Sequence, residues 1–139
     1  MQASHTLERG STFHWRPYSH EYPLPPEQQL RAFLFCTDHS LPRAIGLAFF
    51  LRRPHYYPMR WDEDTSGEIV HREHWSVDML WTAYNHRRTG ITRSLLGRAF
   101  EYLGVTRNDI SWSHPFTESG ASVVRHFCPI EFKAYSSGF

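Results

Sequence analysis

One strand–turn–helix segment constrains the fold of this chain more than any other feature. An apolar run at residues 80–83 leads into a basic turn that contains Gly90, and apolar residues then recur at helical spacing as far as Leu103. Apolar residues at positions i, i+3, i+4 and i+7 predict a helix with one buried face. Gly104 predicts the end of that helix. We therefore expect a strand to enter the turn and a helix to leave it.

The other apolar segments predict a mixed sheet. Residues 32–36 and 44–51 predict a hairpin, with a turn between them. Beyond the hairpin we expect a long loop at 53–67, a strand within 68–84, a short strand at 109–113, a helix at 119–127 that Thr117 caps, and a last strand at 131–135. This order predicts the α/β class, with a mixed central sheet flanked by helices.

Length and composition limit the possible classes of protein. A chain of 139 residues predicts a single domain, residues 1–139. Residues 1–30 are poorly patterned and rich in proline, with a short strand expected at 13–18. A net charge of +1 argues against a general attraction to nucleic acid or lipid, and no apolar run is long enough to cross a membrane. Two isolated cysteines suit a reducing, cytoplasmic compartment.

The basic turn before the predicted helix is a candidate anion site. The first turn of a helix presents backbone N–H groups without helical partners, at the positive end of the helix dipole. Gly90 allows a ligand to approach the backbone closely, and three arginines, Arg87, Arg88 and Arg93, add positive charge. Such a turn suits a pyrophosphate. A solvated basic turn without a ligand remains the alternative.

The same turn resembles a known signature. Residues 87–92, with the sequence Arg-Arg-Thr-Gly-Ile-Thr, resemble the R/Q-x-x-G-x-G/A loop of the GNAT superfamily of acyl-CoA-dependent N-acyltransferases, with Thr92 in place of the last Gly or Ala. Within that superfamily the chain is similar to the cohesin acetyltransferase branch, through Leu80-Trp81, the basic loop, and residues 113–117. The resemblance covers about residues 31–135 and implies a GNAT-like fold with a reduced N-terminal region.

The resemblance implies an enzyme that moves an acetyl or related acyl group from acetyl-CoA, the co-substrate, to an amine. In the superfamily the loop amides hold the CoA pyrophosphate, and the strand before the loop holds the thioester. The matching residues here are Leu80, Trp81, Thr82, Arg87, Arg88, Thr89, Gly90, Ile91, Thr92 and Arg93.

Proton transfer in such a reaction needs titratable groups beside the thioester. Asp78 precedes the apolar end of the central strand and falls near the branch's catalytic Ser; His114 stands where that branch has a catalytic Asp. A carboxylate and an imidazole can both accept a proton, so we expect these two side chains to handle protons. Glu118 is a third candidate, although an acid in the first turn of a helix also stabilises that helix. Weaker candidates are Glu73, Tyr84 and Tyr135.

Several alternatives stay open at this point. The acceptor amine belongs to a protein lysine, a small molecule or a nucleic-acid base, and the oligomeric state is undetermined. A CoA-binding module without catalysis and a nucleic-acid-binding module are the competing classes. A zinc site at residues 71–74 is disfavoured, because His71 and His74 would point to opposite faces of a strand, and no metal is expected.

Overall fold

The fold is built on a five-stranded mixed sheet. The structure, a computed structural model, describes residues 30–37, 40–63, 65–87, 89–114 and 116–136. Its strands are β1 (Leu30–Cys36), β2 (Ala44–Arg60), β3 (Val70–Thr82), β4 (Ser111–Ser113) and β5 (Glu131–Tyr135). The strand predicted at 13–18 and nearly all of the atypical N-terminal segment lie outside the described residues.

The first two strands form the predicted hairpin. β1 runs antiparallel to β2, from Leu30 opposite Leu51 to Cys36 opposite Ala44. β2 continues antiparallel to β3, from Gly46 opposite Thr82 to Tyr56 opposite Val70. The apolar run predicted at residues 44–51 is buried from residue 45 to residue 51, so this part of β2 is covered on both faces.

The long loop predicted at residues 53–67 is wrong, because β2 extends through most of it. β2 spans 17 residues and ends only at Arg60. Pro54 falls at a register shift of the β2–β3 ladder, where it is the single β2 residue opposite Arg72 and Glu73 and the regular ladder hydrogen bonds are interrupted. The carbonyl of Pro58 accepts from the Gly67 amide at 2.7 Å. The nitrogen of Pro58 therefore faces away from β5, and its missing N–H costs that ladder nothing.

The last three strands close a ring of pairings with β2. β4 lies parallel to β3 and parallel to β5. β5 in turn pairs antiparallel with the far end of β2, from Tyr57 opposite Ala134 to Arg60 opposite Glu131. The extension of β2 that the prolines concealed is thus the segment that joins the two sides of the sheet.

Two helices pack on the sheet where the sequence predicted them. α1 (Ile91–Leu103) begins after Gly90 and ends at Gly104, whose φ of 68° gives the left-handed cap that glycine adopts most readily. α2 (Glu118–Phe127) begins after Thr117, whose hydroxyl accepts from the Gly120 amide at 2.8 Å. Both predicted helices and both predicted ends of α1 are confirmed.

The main core lies between the helices and one face of the sheet. Phe50 from β2 and Trp112 from β4 are almost completely buried and contact Phe100 of α1 edge-on, with ring centroids 6.1 and 6.3 Å away. Such edge-to-face contacts add to the free energy of apolar burial. The same cluster includes Leu95, Leu96, Ala99, Val124 and Phe132. The apolar spacing of α1 therefore predicted its buried face correctly.

The structure also bears on the two cysteines and on a possible membrane span. Cys36 is exposed and Cys128 is buried, and both are free thiols. Burial raises the pKa of the Cys128 thiol, so this group stays protonated at neutral pH. Neither of the described helices has the length and apolar character to cross a bilayer.

A buried histidine joins β3 to β4. His74 Nδ1 donates to the Arg72 carbonyl at 2.8 Å, which makes Nδ1 the protonated nitrogen of the neutral ring. Nε2 then accepts from the Ser111 hydroxyl at 2.6 Å. His74 is only 6% exposed, and burial lowers its pKa. The neutral ring is therefore the form that completes this hydrogen-bond pair.

We predict that acid destabilises the fold in part through His74. Because the folded-state pKa lies below the ordinary value of about 6.5, stability is present above that value and is lost as the pH falls below it. Urea unfolding at pH 7.5 and 5.5 measures the effect. The His74→Gln variant should lose less stability between these pH values than the parent; an equal loss in both would contradict the prediction.

Candidate active site

The two central parallel strands separate soon after they begin to pair. Only Ser76 with Ser111 and Val77 with Trp112 are paired between β3 and β4 among the described residues. β3 continues to Thr82, whereas β4 ends at Ser113. Residues 78–82 therefore have β2 on one side and, on the other, an opening where a neighbouring strand would lie.

A β-bulge lies at the point of separation. Phe49 of β2 is opposite Met79 and Phe50 is opposite Val77, so Asp78 is the extra residue on β3. A bulge bends the strand and redirects a side chain, and bulges are frequent beside active sites. The bulge explains both why β3 leaves β4 here and why a charged side chain is accommodated between two buried apolar residues.

A small cleft lies at this opening; its free space of about 250 Å³ includes volume that is open to solvent. Its walls come from β3, from the end of β4, and from α2 with the residues that precede it. The lining side chains are mainly apolar, with Asp78 and Ser113 as the exceptions: Val77, Asp78, Met79, Leu80, Trp112, Ser113, Phe116, Gly120 and Val124. A narrow apolar cleft with a few polar groups suits a slender ligand whose reactive end meets those groups.

The glycine turn lies at the far end of β3. Gly90 has a φ of 83°, a left-handed conformation that favours glycine, and among the described residues, its two chain neighbours aside, none has an atom within 4 Å of the place where a Cβ would be. Helical hydrogen bonding starts with the Ser94 amide, which donates to the Gly90 carbonyl at 3.0 Å. The amides of residues 91–93 thus precede the first helical hydrogen bond, as an anion site requires.

Thr92 links the helix start to the strand. Its hydroxyl shares a 2.6 Å hydrogen bond with the hydroxyl of Thr82. The side chain that replaces the usual small residue of the signature is therefore bonded to β3. This bond also fixes the turn relative to the end of the strand that lines the cleft.

The arginines of the turn differ in their surroundings. Arg87 Nε donates to the Thr82 carbonyl at 3.4 Å, and its guanidinium lies 5.5 Å from the centre of the Tyr84 ring. Arg93 and Thr89 are exposed. Arg88 lies outside the described residues. Arg87 and Arg93 thus place exposed positive charge on the predicted anion turn.

The backbone of β3 presents alternate amides to the cleft side. Ala83 donates its amide to the Ile45 carbonyl of β2 at 2.8 Å. Successive amides of a strand point to opposite sides, so the amides of Thr82 and Leu80 point away from β2, toward the side that β4 has left. The amide of Trp81 points toward β2, and its side chain packs with the buried Leu47, Phe49 and Met79 cluster.

Asp78 is held by two donors at the mouth of the cleft. Arg53 Nη2 of β2 lies 2.8 Å from Asp78 Oδ1, and the Ser113 hydroxyl donates to the same oxygen at 3.2 Å. The Asp78 and Arg53 side chains are only 13% and 15% exposed. The bulge thus brings together a carboxylate from β3, a guanidinium from β2 and a hydroxyl from β4.

His114 follows β4 directly. Its amide donates to the Tyr135 carbonyl at 2.9 Å, and its ring lies 5.1 Å from that of Phe116, which lines the cleft. Burial lowers the pKa of His114, so its imidazole is neutral at pH 7 and able to accept a proton. The backbone therefore positions His114 on the β4 side of the opening.

The remaining candidate side chains, like that of His114, are not among the residues that line the cleft. Glu118 is exposed in the first turn of α2, where its charge stabilises the helix, and it does not line the cleft. Glu73 is exposed and lies 3.7 Å from Arg52. Tyr84 is 82% exposed, whereas the Tyr135 ring lies beneath the Arg53 guanidinium at 4.3 Å.

Metal ligands do not converge in the described part of the chain. No group of three or more His, Cys, Asp or Glu side chains is arranged there to hold a metal ion. His71 is exposed and near His55, while His74 is buried against Ser111.

Sequence reasoning missed two members of the site. Arg53 begins the segment predicted as a loop, which is rich in proline, tyrosine and acidic residues, and Ser113 is identified only within the family-like segment. The signal that could have found Arg53 is the unusual Asp78 in an apolar strand, since a buried carboxylate calls for a cationic partner.

Comparisons with known proteins agree with this geometry. Residues 72–135, just under half of the chain, match the family model described as the ESCO1/2 acetyl-transferase. No curated protein matches the chain in a sequence search. The matched region contains β3 from Arg72 onward, the glycine turn, both helices, β4 and β5, and therefore all the residues that line the cleft.

Solved structures share the fold. The xEco2 acetyltransferase domain bound to a K105-CoA conjugate superimposes with a TM-score of 0.74 over 97% of this chain and 81% of that one, at 14% identity. A second structure of the xEco2 acetyltransferase domain superimposes with a TM-score of 0.66 over 97% of this chain and 79% of that one, at 15% identity. The chain thus resembles the ESCO1/2 acetyltransferases and shares the fold of the xEco2 domain, which confirms the predicted α/β class with a mixed central sheet and helices packed on it.

We predict that the Thr82–Thr92 hydrogen bond stabilises the turn. Thr92→Val removes the hydroxyl and leaves Thr82 without this partner, which should lower the free energy of unfolding by roughly 1 kcal/mol. Thr92→Ser, which keeps the hydroxyl, is the control and should lose clearly less. Chemical denaturation measures both variants, and equal stability of the valine variant and the parent would refute the assignment.

Proposed function

We propose that this protein is an N-acetyltransferase that moves an acetyl group from acetyl-CoA to an amine. The observation that carries the proposal is the opening between β3 and β4, which leads from the Asp78 bulge toward the glycine turn at the end of the same strand. The family-model match and the xEco2 structure described as bound to a CoA conjugate support CoA as the donor. A cytoplasmic location and a single domain stay predictions.

The residues present fit the CoA portion of such a donor. The open space above Gly90, together with the amides of residues 91–93, suits a pyrophosphate. Arg87 and Arg93 add charge that attracts it. The pantetheine chain is long and narrow, and the mainly apolar cleft walls suit its aliphatic parts.

The exposed amides of β3 suit the thioester end. Leu80 and Thr82 direct N–H groups toward the opening, where the pantetheine can take the place of a neighbouring strand and the thioester oxygen can accept a hydrogen bond. A donor aimed at an oxygen that gains negative charge lowers the barrier to acyl transfer. We assign these two amides, rather than that of Trp81, to donor binding.

Acetyl transfer by direct attack requires one proton to leave the amine. The amine nitrogen forms a bond to the thioester carbonyl carbon, the carbon–sulfur bond breaks, and the CoA thiolate gains a proton. We assign acceptance of the amine proton to Asp78 or His114, which lie on either side of the opening. Positioning of the two reactants supplies a further share of the rate. Glu118 is assigned no contact with substrate.

We predict that Gly90→Trp weakens CoA binding at least roughly tenfold, equivalent to about 1.4 kcal/mol, because the side chain fills the space assigned to the pyrophosphate. Gly104→Trp is a matched control: this glycine also has a positive φ and open surroundings, but it lies at the opposite end of α1. Isothermal calorimetry with CoA measures both. Parent-like affinity of Gly90→Trp would contradict the pyrophosphate assignment.

We predict that Asp78→Asn and His114→Ala slow turnover while CoA affinity stays close to that of the parent. Removing a general base costs roughly 100-fold or more in rate. Glu101→Gln and His126→Ala change exposed residues of the same types and serve as controls. Thiol release from acetyl-CoA, with a panel of amine acceptors, measures the rate. Turnover of both site variants at the parent rate would contradict this proton-transfer scheme.

A further inference from the structure

Arg53 lies outside the residues predicted for the site, yet it contacts the candidate base directly. It belongs to β2, next to the register shift at Pro54, and reaches along β3 to Asp78 with an Nη2–Oδ1 distance of 2.8 Å. Its regular cross-strand partner is His74. Arg53 thus lies between the two register shifts of the β2–β3 ladder, and its contact with Asp78 is not one between cross-strand partners.

Asp78 is the polar partner that the structure gives to the Arg53 guanidinium. Arg53 Nε is buried and has no acceptor among the described residues. The guanidinium also lies 4.3 Å from the centre of the Tyr135 ring of β5, a cation–π contact that restricts its position. Arg53 is thus fixed between an aromatic ring on one strand and a carboxylate on another.

The two oxygens of Asp78 are not equivalent. Oδ1 accepts from both Arg53 and Ser113. Oδ2 accepts from no group in the described part of the chain, although Asp78 lines the cleft. The donors therefore fix the carboxylate through one oxygen and leave the other for a proton.

We propose that Arg53 is a positioning residue that acts through Asp78: it holds Oδ1, together with Ser113, so that Oδ2 is the oxygen that takes the amine proton. This inference rests on the proposed acetyltransferase function. It places the determinant of base geometry on β2, outside the region that the family model matches.

A purely structural ion pair is the alternative. Two opposite charges at low exposure often contribute little net stability, since removal from water costs about as much as their attraction gains. Loss of the Arg53–Asp78 ion pair can change stability under either explanation, so stability alone cannot distinguish the two. A positioning role differs because loss of Arg53 must slow turnover, and only while Asp78 is present.

A double-mutant cycle in turnover makes this distinction. Arg53→Met keeps the length of the side chain and removes its charge, and we expect it to lower kcat roughly tenfold or more while CoA affinity changes less than twofold. In the Asp78→Asn background the same change should have no further effect on kcat. Arg98→Met, which breaks an exposed pair with Glu101, is the control and should turn over like the parent.

The inference is overturned if Arg53→Met has the parent kcat, or if its loss of kcat persists undiminished in the Asp78→Asn background. Crystal structures of the parent and of Arg53→Met give a test that needs no activity. We expect the Asp78 carboxylate to turn away from Ser113 in the variant, and an unmoved carboxylate overturns the inference. If calorimetry detects no CoA binding to the parent protein, the proposed function fails, and the crystal structures then test only whether Arg53 orients the Asp78 carboxylate.

Discussion

The separation of β3 from β4 after the Val77–Trp112 pair determines the rest of the candidate site. An unpaired strand face exposes backbone amides that must find another partner, and burying them without one costs free energy comparable to a lost hydrogen bond. In this protein the Asp78 bulge lies at one end of the opening, and the turn at Gly90 lies beyond the other, where β3 ends. A ligand that forms hydrogen bonds like a strand satisfies those amides, so the same feature that interrupts the sheet creates a binding site.

Charge at the bulge is balanced within the protein. Asp78 is nearly buried, but Arg53 lies 2.8 Å from it, and Ser113 adds a neutral donor. A carboxylate alone at that depth would be costly, and a guanidinium alone equally so. The pair keeps the site near electrical neutrality, which suits an amine that must react without its extra proton. Four strands contribute to this arrangement, since Tyr135 of β5 supports the guanidinium.

Local signals in the sequence predicted α1 and its turn, whereas the long-range pairing of the strands could not be predicted from them. Apolar spacing identified the face of α1 that contacts Phe50 and Trp112, and Gly90 and Gly104 marked its ends. The extent of β2 was hidden because proline disfavours strands locally, and only the register shift and the orientation toward Gly67 make Pro54 and Pro58 acceptable. Asp78 was identified as exceptional, but its partner Arg53 depends on a bulge and on strand order, which no short stretch of sequence specifies.

A crystal structure of the protein with CoA tests the central claim most directly. The account predicts that the pantetheine lies between β3 and β4, with hydrogen bonds to the backbone of Leu80 and Thr82, and that the pyrophosphate contacts the amides of residues 91–93 beside Gly90. CoA bound elsewhere on the protein, with the opening at Asp78 and Ser113 left vacant, would contradict it.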